Sequence, residues 1–180
     1  VIQFFAQSPA NSDGDRMYVM FREVYQSEMM IEDICEEYIK PYSQDLNVEE
    51  MYADPAQADS RETLSRRGIE TVSANKDVWA GIQEVKAQMD CESLEHPGVL
   101  FYENALVHRE DQDLNEANKP ARTVDEFAGY EWSDNVDDEP VKEDDHGMDC
   151  MRYLVYTLEG DSGPSYDELE EFAESVRGGF

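Results

Sequence analysis

Basic residues are scarce in this chain. Its 180 residues hold 14 Lys and Arg against 43 Asp and Glu, a net charge of −29. A broad basic face of the kind that neutralises nucleic-acid phosphates is therefore excluded. No apolar run approaches the about 20 residues needed to span a bilayer, and no signal-peptide pattern is visible. Cysteine is sparse. Cys35, Cys91 and Cys150 are dispersed, each in a helical pattern, which fits core thiols in a reducing compartment better than a disulfide framework. Of three histidines, His96 and His108 fall in loops without neighbours at metal-ligand spacing and are expected in solvent. No G-x-x-x-x-G-K-[S/T] phosphate loop occurs, so these residues contain no such ATPase motor.

The chain is nonetheless not a disordered acidic tail. Hydrophobic residues make up 40% and aromatics 11%, enough for a core, and the length suits one domain. The pattern is α/β. Val1–Gln7 and Met17–Tyr25 read as antiparallel strands around an Asp-Gly turn signal at Asp13-Gly14. A helix follows over Ile31–Ile39, with Ile31, Ile34, Cys35 and Tyr38 on one face and Pro41 after its end. A short strand runs into Asp54. Residues 61–67 form a short helix closed by Gly68. Ile69–Val72 is a strand, Asp77–Met89 a helix, and Val99–Tyr102 a strand after the turn His96-Pro97-Gly98. Residues 104–122 are loop-rich, Val124–Tyr130 is a helix, and 133–144 an acidic loop. A helix over Asp145–Leu158 buries Met148, Met151, Val155 and Leu158. Gly160 to Pro164 breaks it, and Tyr166–Val176 forms a short acidic helix in an exposed appendage, residues 160–180. Strands alternating with helices after a hairpin predict a mixed sheet with helices on both faces.

Two places carry candidate chemistry. The first is Asp144-Asp145-His146-Gly147-Met148-Asp149. His146 and Asp149 are three apart, hence neighbours on one helix face, where an imidazole and a carboxylate can share a divalent ion. Asp144 or Asp145 would cap the helix. Taken alone, most such His-x-x-Asp pairs are surface accidents. The second is Asp54, at the end of a strand and stopped by Pro55. Ligands gather at the carboxyl ends of strands in α/β sheets, although an Asp before Pro is also an ordinary turn. Glu23 either contributes to the site from its strand or pairs at the surface beside Arg22.

Several blocks in order resemble one family. Phe21-Arg22-Glu23-Val24-Tyr25 resembles a "REvY" strand, and Tyr52-Ala53-Asp54-Pro55 a second acidic strand. Ala74-Asn75-Lys76-Asp77-Val78-Trp79-Ala80-Gly81-Ile82 resembles "a-x-K-d-v-x-x-G-I". Tyr130-Glu131-Trp132, Glu139-Pro140-Val141-Lys142 and Asp145 to Tyr153 resemble "Y-x-W … k-P-v-K-x-x-D-H-a-x-D-A-l-R-Y". The order is similar to the C-terminal RNase H-like nuclease domain of tailed-virus terminase large subunits, over residues 1–158. The resemblance implies an RNase H-like fold over residues 1–159 and a metal-dependent endonuclease that cuts concatenated double-stranded DNA during genome packaging. It implies Asp54, Asp149 and His146 as catalytic and metal-binding residues. Two Mg²⁺ or Mn²⁺ ions about 4 Å apart would be held there, one activating water and one stabilising the leaving oxygen. Double-stranded DNA, a portal protein and a small terminase subunit would be partners, in the host cytoplasm. The family's first catalytic acid ends a strand preceding the segment like Val1–Gln7, so it is expected upstream of Val1.

Other readings remain open. A resolvase-type RNase H-like nuclease has a similar acidic constellation, though the Tyr130–Trp132 and Asp77–Ile82 blocks favour terminase. An acidic interaction module or DNA mimic would explain the charge but not the His146/Asp149 and Asp54 arrangement. Adaptation to a high-salt host explains the charge more simply. In molar salt the Debye length is only about 3 Å, and an acidic surface keeps the protein soluble.

Overall fold

A computed structural model describes residues 1–12, 14–90, 97–107, 110–133 and 139–160. The expectations for Asp13, Cys91, His96, His108 and the appendage beyond Gly160 lie outside these residues.

Strands β1 (Ile2–Gln7) and β2 (Tyr18–Val24) form the antiparallel pair, with a register shift between Phe4 and Phe5. Neighbouring Phe4 and Phe5 serve opposite faces of the sheet, as successive strand residues do. β2 also pairs in parallel with β5 (Val99–Phe101), giving a mixed three-stranded sheet ordered β1-β2-β5. A second, two-stranded sheet pairs β3 (Tyr52–Ala53) with β4 (Val72–Ser73) in parallel. The expected strand at Ile69–Val72 thus shifts toward Ser73, because Val72 and Ala74 donate to Met51 and Ala53.

Helices cover both faces of the larger sheet. On one side, Phe5, Tyr18, Val99 and Phe101 pack with α4 (Val78–Met89) and α7 (His146–Glu159). Met148, Met151 and Val155 are buried there, each contributing about 1.5–3 kcal/mol. On the other side, Ile2 joins Cys35, Ile39 and Leu64, and Phe4 meets the Tyr42 ring edge-on at 5.6 Å.

The first helical region departs from expectation. It does not stop before Pro41. α1 (Ile31–Ile34) runs into a π-helical turn at Cys35–Ile39 and then α2 (Lys40–Leu46), which ends at Asn47 in the left-handed conformation. The wide turn just before Pro41 accommodates its ring within the continuing helix. The π turn also rotates the face. Ile39 enters the core, while Tyr38 stacks on Tyr42.

The remaining helices are α3 (Ala58–Arg66), α5 (Gln112–Glu116) and α6 (Thr123–Glu126). α3 begins three residues earlier than expected and ends at Gly68, whose φ of 84° suits a residue without a side chain. α6 ends well before Tyr130, and α5 lies within the segment expected to be loop. No helix among the described residues is long and apolar enough to cross a membrane.

Candidate functional site

β3 delivers Asp54 at its carboxyl end. The chain then turns over Pro55, with the Asp54 Oδ1 accepting from the Ala56 amide at 2.8 Å and its carbonyl accepting from Gln57. Asp54 therefore has a turn role as well as a strand-end position. Helix α7 packs against β3 and brings Asp149 and Tyr153, one turn apart, to this end of the strand.

Tyr153 reports on the convergence. Its phenol is pushed up to about 12, first by burial, then by the negative charges of Asp149 and Asp54. Two carboxylates far apart in sequence thus act on one hydroxyl. His146 stands at the first position of α7, with a side chain 75% exposed. No described hydrogen bond or ion pair joins it to Asp54 or Asp149.

Asp149 is already engaged. Its Oδ1 accepts from the Arg152 guanidinium at 2.7 Å, and its side chain is 22% exposed. Arg152 is 2% exposed. Its Nη1 donates to the carbonyls of Lys76 and Asp77 at 3.3 and 3.2 Å, just before α4. Asp77 itself caps α4, accepting from the Ala80 amide at 2.9 Å. A Cβ at Gly81 would lie 2.8 Å from the Arg152 Cγ, so the side chain crosses α4 where α4 has none.

The start of α7 is not capped as expected. Neither Asp144 nor Asp145 makes a side-chain capping bond. Asp144 has a φ of 51° and pairs with Lys119 at 3.0 Å. The cap comes instead from α6. The Glu126 carboxylate accepts from the amides of Gly147 and Met148, both at 2.8 Å, and from the Tyr25 hydroxyl at 2.6 Å. A buried acid aimed at free amides at the helix's positive end satisfies both partners.

Glu23 is not the surface partner of Arg22. It is 1% exposed and bonds the Thr123 amide at 3.1 Å and the Thr123 hydroxyl. It does not pair with Arg22, whose guanidinium lies over the Tyr42 ring. Gln3 completes the network, donating to the Thr123 hydroxyl and to the Gly147 carbonyl at 3.0 Å. Burial raises the pKa of both Glu23 and Glu126, opposed by the hydrogen bonds they accept. Cys35 is buried and Cys150 half-buried, and both are free thiols. Burial pushes Cys150 up to about 11, so neither suits a nucleophile at neutral pH.

Arg152, Glu126 and Thr123 were not singled out from the sequence. The available signal was glycine. Gly81 and Gly147 both sit inside helices, where glycine costs about 1 kcal/mol relative to alanine, and such positions mark close approach.

Among the described residues, no group of three or more His, Cys, Asp or Glu side chains stands close enough to enclose a metal ion. The donors available by residue type are the Asp54 and Asp149 carboxylates and the exposed His146 imidazole. Hard oxygen pairs of this kind suit Mg²⁺ or Mn²⁺, ions that keep several waters and often take only one or two protein carboxylates. The residues fit such an ion as an open site.

No protein-family model matches the chain, and no curated protein does. Solved structures do. Two crystal forms of the large terminase from a thermophilic bacteriophage are each 20% identical to it, with a TM-score of 0.62. The match covers 87% of this chain and 36% of theirs. The same phage protein in complex with ADP gives 21% identity, 79% and 33% coverage, and a TM-score of 0.57. The fold is α/β with a mixed sheet, and it is shared with part of a phage large terminase. The chain spans about a third of the length of those structures.

Proposed function

We propose that this chain is the nuclease portion of a viral DNA-packaging large terminase, cutting double-stranded DNA by metal-dependent phosphodiester hydrolysis on an RNase H-like fold. The observation that supports the reading is the packing of α7, which carries Asp149, against β3, which ends at Asp54, with both carboxylates raising the pKa of Tyr153. The likeness to phage large terminase and the ordered sequence blocks support it. Divalent cations bound there supply water activation and stabilisation of the leaving oxygen. Asp54 and Asp149 hold such ions through hard oxygens and offset their charge. His146, exposed at the start of α7, would ligate Mn²⁺ through its imidazole or, when protonated, donate a proton to the departing oxygen. DNA, a portal protein and a small terminase subunit are the corresponding partners. The −29 charge fits work in a high-salt host cytoplasm, where screening lets an acidic protein approach DNA.

The test is localised Mn²⁺ binding. In molar NaCl, where diffuse attraction to 43 acids is screened, Mn²⁺ should broaden the amide resonances of Asp54, Asp149 and Tyr153 before others. Broadening spread evenly over the acidic surface would reject the metal-site reading and favour an acidic interaction module or DNA mimic.

A further inference from the structure

We infer that Arg152 is a positioning residue for Asp149, fixing that carboxylate on the helix that packs against the Asp54 strand, and that Gly81 is the clearance this requires. The inference rests on the metal-site reading above.

Surface ion pairs three residues apart on a helix are common and weak. This one is built differently. The guanidinium is buried, and three of its hydrogen bonds fix its plane: two to the backbone carbonyls of Lys76 and Asp77, one to Asp149 Oδ1. The Tyr130 hydroxyl is buried beside the guanidinium and interacts with it. Burying a charge is costly. The cost is accepted here in an arrangement that leaves the second oxygen of Asp149 without a described hydrogen bond. A metal ligand whose other oxygen is held by a fixed donor keeps its orientation, the usual service of groups behind a metal's direct ligands.

The anchor also links two parts of the site. The Lys76 and Asp77 carbonyls follow β4, the parallel neighbour of the strand that ends in Asp54, with Ala74 donating to Ala53 at 3.0 Å. One guanidinium therefore ties the β3–β4 end, which carries Asp54, to the helix that carries Asp149. Gly81 makes the crossing possible, because any side chain there meets the Arg152 stem at 2.8 Å.

The sign of the effect separates this role from its alternatives. Removing a cation beside Asp149 should by itself strengthen Mn²⁺ binding. Loss of orientation should weaken it, by about 10- to 100-fold for groups of this kind. Mn²⁺ affinity of the whole chain is read from the localised broadening at Tyr153 in molar NaCl, with circular dichroism to verify folding. Arg152→Gln and Arg152→Lys should each weaken binding at least tenfold, since Lys cannot hold two carbonyls and a carboxylate in one plane. Gly81→Ala, which keeps the charge but displaces the side chain, should weaken it too. Unchanged or tighter binding in folded Arg152→Lys and Gly81→Ala would overturn the inference. Absence of localised binding in the unaltered chain would instead remove the metal site itself.

Discussion

Gly147 lies against Thr123 so closely that a Cβ there would stand 2.1 Å from the threonine hydroxyl oxygen and 2.9 Å from its Cα. The helix that carries His146 and Asp149 is thus seated directly on the start of α6. The seat is polar, since Glu126 receives the Gly147 and Met148 amides while Glu23 receives Thr123.

That contact predicts the effect of one methyl group. Gly147→Ala removes a helix penalty of about 1 kcal/mol but forces backbone and threonine apart in a buried layer, which typically costs about 1–3 kcal/mol. Backbone on the far side cannot yield as a flexible side chain would. We expect net destabilisation, seen as a lower urea midpoint with an unchanged slope. A midpoint equal to or above that of the parent would show that the α6–α7 seat is looser than the geometry indicates.

Buried Glu23 predicts a pH dependence. Burial raises its pKa above the ordinary 4.5 in the folded chain, so the folded state binds the proton more tightly than the unfolded one. Its contribution to stability is therefore full below about pH 4.5 and is lost as pH rises through the higher folded value. Between those limits stability should fall with rising pH. Glu23→Gln removes the proton uptake and should flatten that part of the curve. Thermal midpoints across about pH 4.5–7.5 measure both, and identical slopes for the two proteins would contradict the assignment.

Much of this organisation was legible in the sequence, and the rest was hidden for physical reasons. Helix α7 emerged from an apolar period at Met148, Met151, Val155 and Leu158, of which the first three are buried and Leu158 is half-buried. Asp54 stood out because a strand pattern met Pro55. The cap of α7 was misjudged because Asp144 and Asp145 are local candidates, whereas Glu126 reaches the amides only through tertiary packing. The run through Pro41 was missed because a π turn leaves no composition signal. Glu23 read as a site contributor or a surface partner of Arg22, since nothing in a strand's alternation shows that Thr123 waits across the core. Arg152 was hidden by its own neighbourhood. An arginine on an acidic helix reads as a surface pair until Gly81 and the two carbonyls that hold it are placed around it.

Salt should stabilise the protein. With 43 acids and 14 bases, self-repulsion favours expansion, and raising NaCl or KCl from about 0.1 M to molar levels shortens the Debye length from about 10 to about 3 Å. The thermal midpoint should climb throughout that range. A flat or falling midpoint would remove salt adaptation as the explanation of the charge and return attention to an acidic protein that occupies a DNA-binding partner.

The acids of the candidate site should separate by role. Asp54→Asn and Asp149→Asn each remove a negative ligand from an open site with few protein donors, so localised Mn²⁺ broadening at Tyr153 should disappear in both. Asp149→Asn carries a second consequence, because it strips the buried Arg152 of its charged partner. It should also lower stability, by the about 3–5 kcal/mol typical of breaking a buried pair when fully dry, and by less here because Asp149 is 22% exposed. Asp54→Asn, in a turn that asparagine also tolerates, should leave stability nearly unchanged. His146→Ala should weaken binding only mildly, since an exposed imidazole adds less to holding a hard cation than a carboxylate does. Asp144→Asn should resemble the parent. Its left-handed backbone suits asparagine, its ion pair with Lys119 is at the surface, and it does not cap α7. Retained broadening at Tyr153 in a folded Asp54→Asn chain would mean that an ion bound at α7 is not shared with the end of β3.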